Sequence, residues 1–122
     1  MKRAIFLDRD GVICEESNLF YNGKPILDTN DFRWIIGSKE GLNILSGLEF
    51  YLILLINQSA INKEVLSVKK FNEINNLINS ELRKYNRKID EVYYCPHIIE
   101  EECECRKPKI GLINQAKIKF DL

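Results

Sequence analysis

The stretch Ala4-Ile5-Phe6-Leu7-Asp8-Arg9-Asp10-Gly11-Val12 runs from a wholly apolar segment straight into a charged turn. With no polar residue on either side of the strand, Ala4–Leu7 is expected to be buried in a parallel sheet covered on both faces. Working outward, Tyr51–Ile56 (YLILLI) reads as a second buried strand and Ile89–Tyr94 as a third. Helical patterns separate them. Gly37-Ser38 opens one helix, with Ser38 as the expected N-cap, Leu42 and Leu45 on its inner face and Gly47 at its end. Ser67 is expected to cap a longer helix reaching to about Tyr85, with Phe71, Ile74, Leu77, Ile78, Leu82 and Tyr85 at a 3.6-residue spacing. Residues 14–33 are polar, carry the turn signals Asn22-Gly23 and Lys24-Pro25, and read as an irregular excursion or flap. Cys95–Cys105 reads as a loop and Lys109–Phe120 as a last helix. This alternation predicts the α/β class, a Rossmann-like parallel sheet with flanking helices, in one domain over residues 1–122.

Composition narrows the function. A hydrophobic fraction of 45% supports a real core, and 30% charged residues is not a disordered composition. Lys+Arg and Asp+Glu both number 18, so binding to nucleic acid through bulk positive charge is not expected. The apolar stretch after Lys2-Arg3 ends at Leu7, short of the roughly 7–15 residues of a secretory h-region. Tyr51–Ile56 is far below the roughly 20 residues that span a bilayer. The expected setting is cytoplasmic, with no membrane partner and reduced cysteines, so clustered cysteines point to metal chemistry before disulfides.

Asp8 and Asp10 directly follow the first strand, and ligands of parallel α/β sheets bind beyond the carboxyl ends of the strands. Spaced by one residue, the two carboxylates leave the strand end on the same side, and Gly11 permits a sharp turn after them. One carboxylate can attack phosphorus and form an aspartyl-phosphate. The other can give a proton to the leaving group and take one from water. A hard cation such as Mg²⁺ would offset their repulsion with phosphate. Two acids that merely solvate a turn would have the same local sequence. The apolar strand ahead of them favours the chemical reading.

Cys95, His97, Cys103 and Cys105 form C-P-H, five residues, then C-E-C. Cys₃His is a tetrahedral zinc set, and four protein ligands leave no open position, so a structural zinc is expected. Cys14 lies apart from this cluster and reads as a small apolar residue. Arg106 and Lys107 follow the last ligand at once. Zinc would hold the base of both side chains, placing a planar bidentate donor and a point charge for phosphate. An exposed basic pair is the plain alternative, opposed by the flanking metal cluster and Pro108. Asn57-Gln58-Ser59, after the second strand, can line the same phosphate pocket or form an ordinary turn.

FLDRDGV, NQS, YYCPH and CECRKPKIG, in that order, resemble the haloacid dehalogenase phosphatases, in the group of the D,D-heptose 1,7-bisphosphate and histidinol-phosphate phosphatases. The resemblance extends to DFRWIIGSKEGLNIL at residues 31–45, and the zinc loop followed by RKPK is its most specific part. It implies a Mg²⁺-dependent phosphomonoester hydrolase acting on a small phosphorylated sugar. Asp8 matches the nucleophile and Asp10 the general acid/base. The Asp8 carboxylate and the Asp10 backbone carbonyl would hold Mg²⁺. Lys107 matches the lysine that stabilises nucleophile and phosphate, with Arg106 beside it near the substrate and Asn57 at a phosphate-pocket position. The zinc loop would shape the substrate entrance. Ser59 leans towards the heptose type, and the five-residue zinc spacer towards the histidinol-phosphate type.

The chain departs from the family pattern in several places. Ile56 stands where the family carries Thr or Ser, so no hydroxyl is available there, and Ile56→Thr is expected to improve phosphate handling. Ala60 replaces a usual glycine. The family's later Gly-Asp motif, whose acids complete the Mg²⁺ site, is not within residues 1–122. The chain is therefore expected to lack the C-terminal strands, to leave Ala4–Leu7 at a sheet edge and to turn over poorly alone. A non-catalytic zinc-binding relative is the competing reading. A nucleic-acid 3′-phosphatase is a third, opposed by the zero net charge.

Overall fold

Among the described residues, β1 (Ala4–Leu7), β2 (Tyr51–Asn57) and β3 (Glu91–Cys95) form one parallel sheet in the order β1-β2-β3. The structure, a computed structural model, describes residues 2–16 and 26–122, so the expected turns at Asn22-Gly23 and Lys24-Pro25 lie outside it. Leu7 pairs with Leu54 and Asn57 with Cys95. The register therefore delivers Asp8, Asn57 and the start of the cysteine loop to one end of the sheet.

The run Leu52–Ile56 is buried throughout, as expected for a strand covered on both faces. Leu52, Leu54 and Ile56 enter one core with α1 (Ser38–Ser46) and α3 (Val68–Arg83), whose Leu42, Phe71, Ile74, Ile78 and Leu82 are buried. Each of these large side chains contributes roughly 1.5–3 kcal/mol by leaving water. Ile53, Leu55 and Cys95 point the other way, against Leu112 and Ala116 of α4 (Gly111–Phe120), and Phe120 packs on Tyr51. β1 stands at the sheet edge expected for it, with a strand neighbour on one side only among the described residues, and all four of its residues are half-buried, short of the full burial its composition suggests.

Helix boundaries bring further corrections. The Ser67 hydroxyl accepts from Lys70 N at 3.1 Å, as an N-cap should. Ser38 does not cap α1: Gly37 holds the cap position, and the Ser38 hydroxyl donates to Ile35 O at 2.7 Å. The Ile35 carbonyl lies within reach of the short side chain and accepts its hydrogen bond. Tyr85 lies past the end of α3 and is exposed. A short helix, α2 (Ser59–Asn62), follows β2 where a turn was one of the readings. In the excursion, Cys14, Ile26 and Phe32 are buried, so its ends are part of the core.

Candidate active site and metal loop

The turn after β1 is wound around one carbonyl. Arg9 O accepts from the amides of Val12, Ile13 and Cys14, and Gly11 takes φ 83°, a conformation open to glycine at little cost. Asp8 Oδ1 accepts from Arg9 N at 2.8 Å. Asp8 Oδ2 lies 2.9 Å from Lys107 Nζ, which also donates to Leu55 O at 2.6 Å. Both members of the Asp8–Lys107 pair are partly exposed, so it adds little to stability, about 0–1 kcal/mol. Its weight is geometric: it joins residues from opposite ends of the chain at the carboxyl end of β1.

Asn57 is what sets Lys107. Its Oδ1 accepts from Lys107 N at 3.0 Å and its Nδ2 donates to Lys107 O at 3.3 Å. The amide that the sequence assigns to the phosphate pocket is thus engaged with the lysine's backbone. Arg106 leans back on the cysteine loop, its Nη1 donating to His97 O at 3.1 Å and its amide to Cys103 Sγ at 3.4 Å. Ile99, Glu102, Arg106, Lys107 and Lys109 line a cleft of about 330 Å³ beside the lysine.

Asp10 turns to different partners. Arg9 Nε and Cys14 Sγ reach its Oδ1 at 2.8 and 3.3 Å, and Arg9 Nη2 its Oδ2 at 3.3 Å. Cys14 is buried as expected but is not only an apolar filler. Burial, together with the Asp10 charge, pushes its thiol up to about 12, so it stays protonated and available as a donor. Arg9, Gln58 and Asn75 are the buried polar residues of the described chain, and neither Arg9 nor Asn75 stands out in the sequence as a site residue. The one available signal was an arginine wedged between two acids in Asp8-Arg9-Asp10.

Ile56 is 1% exposed and packs in the main core. A hydroxyl at this position would enter apolar packing, so the expected gain from Ile56→Thr does not follow. Ile56→Thr is predicted to lower stability by about 1–3 kcal/mol, through lost packing and a poorly paired hydroxyl. Thermal or urea unfolding of the two proteins measures this, and an unchanged midpoint would count against it.

The ligand atoms of Cys95, His97, Cys103 and Cys105 all lie within 4.8 Å of one another. His97 Nδ1 is 3.4 Å from Cys95 Sγ and 3.2 Å from Cys105 Sγ, and Cys95 Sγ is 3.4 Å from Cys103 Sγ. Three sulfurs and one imidazole nitrogen converging on a point fit a tetrahedral zinc ion. Burial and bonding to Cys95 hold the Cys105 thiol up at about 12. Cys103 goes the other way, to about 6: burial resists, but the Arg106 amide and the neighbouring sulfurs outweigh it. Gly111 locks this loop to α4, its amide donating to Glu104 O at 3.0 Å. A Cβ there would collide with that oxygen. At the carboxylate turn, none of the backbone bonds among the described residues ends on Asp10 O. That carbonyl and the Asp8 carboxylate are oxygen donors suited to Mg²⁺.

No family model matches the chain. It is similar to the D-glycero-alpha-D-manno-heptose-1,7-bisphosphate 7-phosphatase of Campylobacter jejuni, with 36% identity over 120 residues, covering 98% of this chain and 65% of the relative. It is also similar to the D-glycero-beta-D-manno-heptose-1,7-bisphosphate 7-phosphatase of Haemophilus influenzae, with 34% identity over 129 residues, covering 99% of this chain and 67% of the relative. Among solved structures, D,D-heptose 1,7-bisphosphate phosphatase from B. bronchiseptica, complexed with magnesium and phosphate, superposes with a TM-score of 0.86 at 25% identity. That match covers 98% of this chain and 64% of the other. The chain thus spans 65% of the length of the Campylobacter relative.

Proposed function

We propose, since the chain belongs to the D-glycero-D-manno-heptose-1,7-bisphosphate 7-phosphatase family of haloacid dehalogenase-type phosphatases, that it is the nucleophile-bearing part of a phosphomonoester hydrolase for a heptose bisphosphate. The observation that carries this reading is the 2.9 Å approach of Lys107 Nζ to Asp8 Oδ2 at the carboxyl end of β1. A carboxylate oxygen of Asp8 attacks phosphorus, and the bond to the sugar oxygen breaks. That oxygen keeps the electron pair and takes a proton from Asp10. Water then attacks the aspartyl-phosphate and gives its proton to Asp10. The bond between phosphorus and the Asp8 oxygen breaks, releasing phosphate and restoring the carboxylate. Lys107 holds the nucleophile and the transferring group by charge, Asn57 holds Lys107 by its backbone, and Arg106 stands beside the cleft that takes the sugar end. Mg²⁺, held by the Asp8 carboxylate and the Asp10 carbonyl, would supply positive charge against the phosphate.

Zinc is the proposed ion for Cys95, His97, Cys103 and Cys105, in a structural role because no position is left open for water. A thiol at about 12 is protonated at neutral pH, so zinc binding must displace the Cys105 proton. Zinc affinity is predicted to rise about tenfold per pH unit for that proton between pH 6 and 8. The same linkage applies to every thiol that zinc deprotonates on binding. Competition with a chelator across this range reads the slope, and a flat profile would contradict it.

No helix among the described residues is long and apolar enough to cross a membrane, and a cytoplasmic site is proposed from the metal-type clustering of Cys95, His97, Cys103 and Cys105. The function is tested by phosphate release, with excess Mg²⁺, from D-glycero-D-manno-heptose 1,7-bisphosphate, histidinol phosphate and a 3′-phosphorylated oligonucleotide. Release is expected to be greatest from the heptose bisphosphate. Preference for histidinol phosphate would replace the substrate assignment, and no release from any would favour a non-catalytic zinc-binding relative.

A further inference from the structure

We propose that Arg9 is the positioning residue for Asp10, holding its carboxylate by Oδ1 and leaving Oδ2 to exchange the proton; this rests on the hydrolase reading above. Arg9 is 0% exposed, although the side chains of Asp8 and Asp10 on either side are 43% and 30% exposed. Burying a guanidinium is costly unless its donors are paired, and here all three nitrogens are engaged. Nε and Nη2 fork onto Asp10, Nη2 also reaches Gln58 Oε1 at 2.8 Å, and Nη1 reaches Asn75 Oδ1 at 2.9 Å. The group lies 5.4 Å from the centre of the Phe71 ring.

The anchors come from two other elements. Gln58 stands at the end of β2, with its amide donating to Cys95 O at 2.8 Å, and Asn75 sits on the inner face of α3. An arginine that merely offset two acids would need neither. Orientation thus passes from the packed scaffold to Arg9 and from Arg9 to Asp10. The turn itself does not need the side chain, because its bonds end on the Arg9 backbone carbonyl. At Asp10, Oδ1 takes donors at 2.8 and 3.3 Å while Oδ2 takes one at 3.3 Å, which marks Oδ2 as the freer oxygen.

The test separates positioning from general support of the fold. A 4-nitrophenyl phosphate leaving group departs without protonation, so forming the aspartyl-phosphate needs no acid, whereas its hydrolysis still needs a base at Asp10. Arg9→Lys keeps the charge but loses the fork. With the protein and this substrate, Arg9→Lys should retain a burst of about one nitrophenolate per site, followed by a steady rate lowered about 10–100-fold, part of the 10²–10⁴-fold worth of general acid–base catalysis. Asp10→Asn should show the same pattern more strongly. Burst and steady rate falling together, or neither changing, would overturn the proposal. Should Arg9→Lys not fold, Asn75→Ala, which frees one anchor, should show a weaker form of the same pattern, and its absence would overturn the proposal. If the unaltered protein releases no nitrophenolate at all, the hydrolase reading fails, and with it the proton role of Oδ2. Crystal structures then judge the positioning itself: an Asp10 carboxylate turned away in Arg9→Lys sustains it, and one in the same place overturns it.

Discussion

Asp8→Asn is expected to lower phosphate release by on the order of 10⁴-fold or more, the scale seen when a covalent nucleophile is removed. The amide is a neutral and poor nucleophile, and no neighbour can take over its position. Asp10 bonds to Arg9 and Cys14, and Lys107 pairs with Asp8. The fold should tolerate the change. Asn still offers an oxygen to the Arg9 amide, and the lost ion pair is partly exposed and worth about 1 kcal/mol or less. Steady-state phosphate release with excess Mg²⁺, beside thermal unfolding of the same sample, makes the comparison. A variant that unfolds normally and releases phosphate at near the original rate would remove Asp8 from the reaction.

Cys105→Ser should cut zinc affinity by roughly 100-fold and weaken turnover with it. Structural zinc sites of this kind bind with about 10 kcal/mol or more. Shared over four ligands, one sulfur carries roughly 2.5 kcal/mol, or close to two decades in affinity. Cys105 is a better target than Cys95, which is fully buried at the end of β3 and belongs to the core. The effect should travel to the reaction through Lys107. On one side Asn57 clamps the lysine's backbone from β2, and on the other Arg106 ties it to Cys103 Sγ and His97 O in the loop. With the loop released, the lysine keeps its contacts with Asn57, Leu55 and Asp8, so residual activity is expected with a raised KM. Metal content by mass spectrometry and kinetics on the same preparation are the readouts. Unaltered kinetics in zinc-free Cys105→Ser protein would show that the loop does not govern Lys107.

Several parts of this molecule are local properties of the chain and could be read without coordinates. The strands β1 and β2 are short apolar runs, and the burial of β2 on both faces follows from the absence of a polar side. Ser67 caps α3 because a hydroxyl at that offset meets Lys70 N whatever surrounds it. The cysteine cluster is legible because Cys95, His97, Cys103 and Cys105 lie within one loop, where sequence spacing limits spatial distance. Asp8 and Asp10 were marked by the strand they follow.

Other features depended on tertiary contacts. Arg9 reads as one more charge in a polar turn. It becomes a buried hub only because Gln58, 49 positions away, and Asn75, 66 positions away, close on it. Asn57 reads as a pocket residue but is spent on Lys107, 50 positions away. Ile56 reads as a lost hydroxyl at the site, yet the pleat of β2 turns it into the core. The half-buried state of β1 also lies beyond its own composition, because burial depends on which strands flank it. Spacing and periodicity report what a residue offers over the next turn or strand. Which partner a polar group meets is decided by packing, because burial makes an unmet donor or acceptor costly and long-range closure chooses who satisfies it.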